Sequence, residues 1–178
     1  MHKLSKLSNA EEIEHSFPAV FVREAKRVIA GVPGSDPLVF SRLVGAMEPP
    51  YSLLYVLHTH RGEGKVGRYQ SPELDPEQIR AFITRYDRFL RSDGRFDLWA
   101  YSHPEQAWLV WDRHNRLFGY GAVDRFVAEL LRLGFEAGPI QIPAPHVHHY
   151  HAALDADAAA VLKEFDWSHS PLRPEDEQ

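Results

Sequence analysis

The stretch at residues 97–121, DLWAYSHPEQAWLVWDRHNRLFGYG, decides how the chain is read. It holds three short aromatic-rich runs, DLWAYS, AWLVW and RLFGYG. His103-Pro104-Glu105 separates the first two, and Arg113-His114-Asn115-Arg116 separates the last two. Short apolar runs joined by turn-forming residues predict a three-stranded antiparallel meander. Upstream, Asp75 suits an N-cap, Pro76 the first helical position and Gln78 a capping box. Ile79, Phe82, Ile83, Tyr86, Phe89 and Leu90 form one apolar stripe, closed by Ser92-Asp93-Gly94. Before this helix, YSLLYVLHTH at 51–60 reads as a buried strand. Downstream, residues 122–133 predict an amphipathic helix closed by Gly134, and GPIQIP at 138–143 one more strand. Residues 155–165 read as a last helix, followed by the acidic tail RPEDEQ.

Residues 1–48 are expected to form a helical N-terminal segment docked on the core. Val20, Phe21, Ala25, Val28 and Ile29 fall near helical spacing, and Asp36-Pro37 opens a second short helix. Residues 49–178 then make one α+β domain of order β-α-β-β-β-α-β. The expected architecture is a mostly antiparallel sheet of about four to five strands with helices on one face.

Bulk composition narrows the function classes. At 178 residues, 44% hydrophobic and 25% charged, the chain suits one folded domain. A net charge of −5 argues against nucleic acid as the main partner. The absence of cysteine removes disulfides, thiolate ligands and a thiol nucleophile. No run has the pattern of a secretory signal or the length to span a bilayer, so a cytoplasmic protein without a membrane partner is expected.

Histidine patterning carries the chemistry. PHVHHYH at 145–151 places four imidazoles in six positions. In an extended chain His146 and His148 share one face, and His149 and His151 the other. That one-residue slip breaks the alternation a histidine-triad nucleotide hydrolase requires. A metal site therefore needs ligands from elsewhere, either Asp155 and Asp157 just downstream or His58 and His60, two apart at a strand end, which are the first-choice lenders. The candidate metal set is His58, His60, His146 and His148, for zinc or another divalent ion. With no metal, the stretch is a half-buried segment crossing the sheet, and no cofactor is expected.

Two other patterns carry less. Gly62 to Gly67 spells G-x-G-x-x-G, but no helix follows directly, so a basic loop is the expectation rather than a dinucleotide site. Asp112-Arg113-His114-Asn115 reads as a tight turn. Trp99, Tyr101, Trp108, Trp111, Phe118 and Tyr120 exceed the needs of one sheet face. Of these, Trp99, Tyr101, Trp108 and Trp111 are the candidate docking residues for a partner protein.

The segments YVLHT, GRYQSPE, DLWAYS, VWDRHN, PHVHHYH and SPLRPEDEQ together resemble a group of small uncharacterised bacterial proteins, from Tyr51 onward. The resemblance implies no activity and transfers no residue role. On composition and aromatic content, the first expectation is an intracellular protein-binding domain of the immunity type. The alternative is a metal-dependent hydrolase built on the histidines, and a third is a structural domain of a larger assembly.

Overall fold

The computed structural model describes residues 1–9 and 11–176. It opens with four strands: β1 (Leu4–Ser8), β2 (Glu11–Glu14), β3 (Val20–Arg23) and β4 (Arg27–Gly31). Helix α1 (Pro37–Val44), β5 (Tyr51–Leu57), β6 (Gly67–Gln70), α2 (Pro76–Arg85) and α3 (Asp87–Ser92) follow. The meander is β7 (Phe96–Ser102), β8 (Ala107–Trp111) and β9 (Arg116–Tyr120). Last come α4 (Val123–Arg132), β10 (Glu136–Ala137), β11 (His146–His148), α5 (Asp155–Glu164) and β12 (Ser168–Ser170).

Two sheets result, and they overturn the expectation of a single sheet of four to five strands. The large one has nine strands in the order β10-β3-β4-β9-β8-β7-β5-β6-β12, and the small one is β11-β1-β2. The large sheet is mixed, because β10 pairs parallel with β3 while its other pairings are antiparallel. The extra late strand thus lies at Glu136–Ala137, just ahead of the GPIQIP stretch expected to form it.

The helical N-terminal segment is likewise corrected. Residues 20–31 form the β3–β4 hairpin, with Phe21 opposite Ala30 and Val22 opposite Ile29. Val20, Phe21, Val28 and Ile29 satisfy helical spacing and strand alternation alike. The β-branched residues and the turn fastened by Glu24 on Arg27 Nε at 2.7 Å decide for the strands. Only α1 of the expected N-terminal helices is present, with Asp36 capping Leu38 N–H at 3.0 Å.

Register separates the two faces of the large sheet. Leu53, Tyr55 and Leu57 of β5, Phe96, Leu98 and Ala100 of β7, and Leu109 and Trp111 of β8 point into one core. Helices α1 and α4 cover that face, α1 on β8 and α4 on β4 and β9. Gly119 is needed there, because a Cβ would stand 2.5 Å from the Phe126 ring of α4. The opposite face carries Trp99, Tyr101, Trp108, Val110, Phe118 and Tyr120 and no helix of the α1–α4 layer. Among the described residues no helix is long and apolar enough to cross a membrane.

Candidate metal centre

The turn between β8 and β9 is held from below by Asn115. Its backbone is left-handed (φ 68°), which Asn tolerates, and its side chain is fully buried. Asn115 donates to Val32 O and Ser35 Oγ, both at 2.9 Å, and accepts from Trp111 Nε1 at 3.0 Å. Above it, Asp112 accepts from Arg116 N–H at 2.7 Å and from the Arg116 guanidinium at 2.8 and 3.0 Å. His114 Nδ1 stands 3.4 Å from the same carboxylate. Burial pushes the Asp112 carboxyl up, but the hydrogen bond from His114 and the charge of Arg116 outweigh it, and its pKa lies below the ordinary value.

Strand β11 brings in the other two imidazoles. It pairs with β1, His148 opposite Leu4 and His146 opposite Lys6, so both rings project to one side. The rings of His114, His146 and His148 form a triangle with centroids 5.1, 4.8 and 5.2 Å apart. One ring nitrogen from each lies within 4.8 Å of the others. Nitrogens around a single zinc stand about 3.3 Å apart, so binding one would require the three rings to draw together. His146 Nδ1 lies 2.9 Å from Pro143 O, which fixes the proton on Nδ1 and leaves Nε2 with its lone pair. The Asp112 carboxylate lies behind His114 Nδ1 in the corresponding place. A carbonyl or carboxylate behind the imidazole is the usual support of a metal-bound histidine.

His148 Nδ1 is buried without a hydrogen-bond partner. Burial, then the neighbouring His114, His146 and Arg113, lower its pKa to about 3, so the ring is neutral, the form that ligates. His15 borders the group, its Nε2 also buried and unpartnered, its pKa lowered by burial, Lys6 and His146.

The far side of this segment is chemically separate. Ser5 Oγ lies 2.8 Å from His2 Nε2 and 2.7 Å from His149 Nε2, and His151 Nε2 lies 3.0 Å from His2 O. An ionic cluster fastens it to the large sheet. Fully buried Arg95 reaches Asp93, Glu63 and Asp155 at 2.8–3.0 Å, Asp93 accepts from His151 N–H, and Gly94 N–H donates to His149 O.

The expected lenders take no part. Strand β5 ends at Leu57, so His58 and His60 lie beyond it. His58 Nε2 sits 3.0 Å from Asp97 Oδ2 and His60 is exposed, and neither belongs to the convergent group. The imidazole that joins His146 and His148 instead is His114, which the sequence places in a tight turn. Its signal was the Asp-x-His spacing in that turn. In the 62–67 loop no helix begins, and Glu63 ties it to Arg95.

Of the expected docking residues, Trp99, Tyr101 and Trp108 lie on the open face, with Trp108 37% exposed. Trp111 turns the other way, into the core, where it stacks on Phe40 at 6.0 Å.

No family model, curated protein or solved structure matches the chain. The functional reading therefore rests on the side chains alone.

Proposed function

We propose that the protein binds a divalent transition metal, zinc by preference, through His114, His146 and His148, and that it is a metal-dependent hydrolase. The observation that carries this is the convergence of three imidazoles, two with the second nitrogen held by a carboxylate or a carbonyl. Three neutral nitrogen ligands with coordination positions left over are the pattern of catalytic zinc sites, whereas structural sites close all four. A zinc ion held by these three residues would supply a water whose pKa is lowered to about 7. In the hydrolysis, the water oxygen adds to a carbonyl or phosphoryl centre, the bond to the leaving oxygen breaks, and the water's proton ends on that oxygen. Pro143 O beside His146 Nδ1 and the Asp112 carboxylate beside His114 Nδ1 would orient both rings for such a metal.

Elemental analysis of untagged protein loaded with zinc and then desalted tests the reading. One equivalent is expected, lost in His114→Ala and His148→Ala and kept in His58→Ala and His60→Ala. Metal well below stoichiometry in the wild type, or retention in the His114 and His148 variants, would sink it. For a partner-docking surface of the immunity type, the support in the geometry is the open face of Trp99, Tyr101 and Trp108, of which Trp108 is the most exposed.

A further inference from the structure

We propose that the open face of the large sheet binds a small aryl oxyanion, a flat aromatic ring bearing a carboxylate or phosphate, with the oxyanion at the histidine end. The proposal rests on the metal reading above, because the cation supplies the attraction at that end.

A groove of about 540 Å³ runs along this face, within the size range of small-molecule sites. His114, one of the three convergent imidazoles, lines the groove with Asp112, and Trp108 lines it too, so the candidate metal centre borders the aromatic floor through His114. Register gives its layout. Trp99, Val110 and Phe118 lie side by side across β7, β8 and β9, and the next row is Tyr101, Trp108 and Tyr120. Strand rise puts Trp108 about 13 Å from Asp112, a span that suits a two-ring aryl acid.

Both walls are polar and already built. On the β4 side the guanidiniums of Arg27 and Arg116 lie 5.8 and 4.9 Å from the Phe118 ring centre. Glu175 and Asp176 also line the groove, and buried Asp176 is paired with Arg68, whose guanidinium lies over Trp99. Of the two carboxylates nearest the histidines, Asp112 is paired with the Arg116 guanidinium, and Asp97 accepts from Arg113 N–H at 2.7 Å. Imidazole ligands bring no negative charge, so a dication held there would keep its own and attract an anionic oxygen. Floor and walls select a flat ring, since aromatic faces and guanidiniums both favour stacking on one. The concavity between these walls favours a small molecule over the surface of a partner protein.

The test titrates 2-naphthoate and 2-naphthyl phosphate into zinc-loaded and metal-free full-length protein by calorimetry, with zinc content measured on the same samples. Binding to the zinc form is expected to be at least about tenfold tighter than to the metal-free form. Uncharged 2-naphthalenemethanol is expected to lose that preference. Trp108→Ala is expected to weaken binding about tenfold, and Val110→Phe, which fills the floor, to abolish it, both with zinc content unchanged. One equivalent of zinc with neither oxyanion bound, or with binding indifferent to both substitutions, overturns the groove proposal and leaves the metal reading standing. Failure to retain zinc overturns both, and the elemental analysis identifies that case before any titration.

Discussion

Asp112 serves the β9 backbone, the Arg116 guanidinium and the His114 ring with one carboxylate. Replacing it by Asn keeps the shape and removes the charge behind His114. Asp112→Asn is expected to lower zinc affinity by about 10–100-fold, read by competition with a chromogenic chelator. Arg116→Gln, which spares the His114 contact, is expected to leave that affinity within a few-fold. Lys3 supplies a second prediction at this scale. Its buried ammonium lies 4.0 Å from the Trp111 ring centre and 5.0 Å from that of Phe96. Burial lowers its pKa to about 8, against the opposing pull of Asp112, Asp97 and Asp93. The unfolded chain keeps that proton to about pH 10.4, so above pH 8 it binds more protons than the folded one, and stability rises with pH. Below pH 8 the ammonium is charged in both states and the burial cost stands in full. Relative to Lys3→Met, the wild type is expected to gain roughly 2 kcal/mol between pH 7 and 9.5 in urea unfolding. Higher pH brings the reverse effect of Tyr55, Tyr69 and Tyr86, whose pKa values burial raises.

Among elements, the Arg95 cluster joins the start of β7, the 62–67 loop, α5 and the segment after β11. Arg95→Met leaves Asp93 and Glu63 buried without their cation, and a loss of about 3–5 kcal/mol is expected from denaturant midpoints. Helix α2 depends on a local device instead. Asp75 accepts from Glu77 and Gln78 N–H at 2.8 Å, and Gln78 Oε1 accepts from Asp75 N–H at 2.9 Å. Asp75→Ala is expected to cost about 1 kcal/mol by thermal unfolding. The contrast explains what was legible in the sequence. Asp75, Pro76 and Gln78 act within one turn, and so do Asp36 and Pro37, so α2 and α1 could be read locally. The meander was readable because its turns lie between its strands. Strands β1, β2 and β12 were not, because Leu4 finds His148 and Ser168 finds Gln70 only through the whole fold. The shared face of His146 and His148 followed from strand alternation. The arrival of His114 beside them did not, since it depends on how the small sheet sits against the β8–β9 turn.

For the molecule as a whole, the nine-stranded sheet ends in two short strands, two residues of β10 and three of β12. Short edges offer little template for pairing with another copy. A metal held by His114, His146 and His148 would join the two sheets, one ligand coming from the large and two from the small. Strand β1 lends no ligand, yet it is the strand on which β11 is aligned. Deleting residues 1–14 is therefore expected to leave the large sheet's far-ultraviolet circular dichroism mostly intact and to abolish zinc retention. The same pairing sets an order of events. Because Leu4 and His148 lie near opposite ends of the sequence, closing the loop between them is among the slowest contacts to form. A chain still emerging from a ribosome carries β1 long before its partner exists, so a metal held by His146 and His148 would enter only at the last step of maturation.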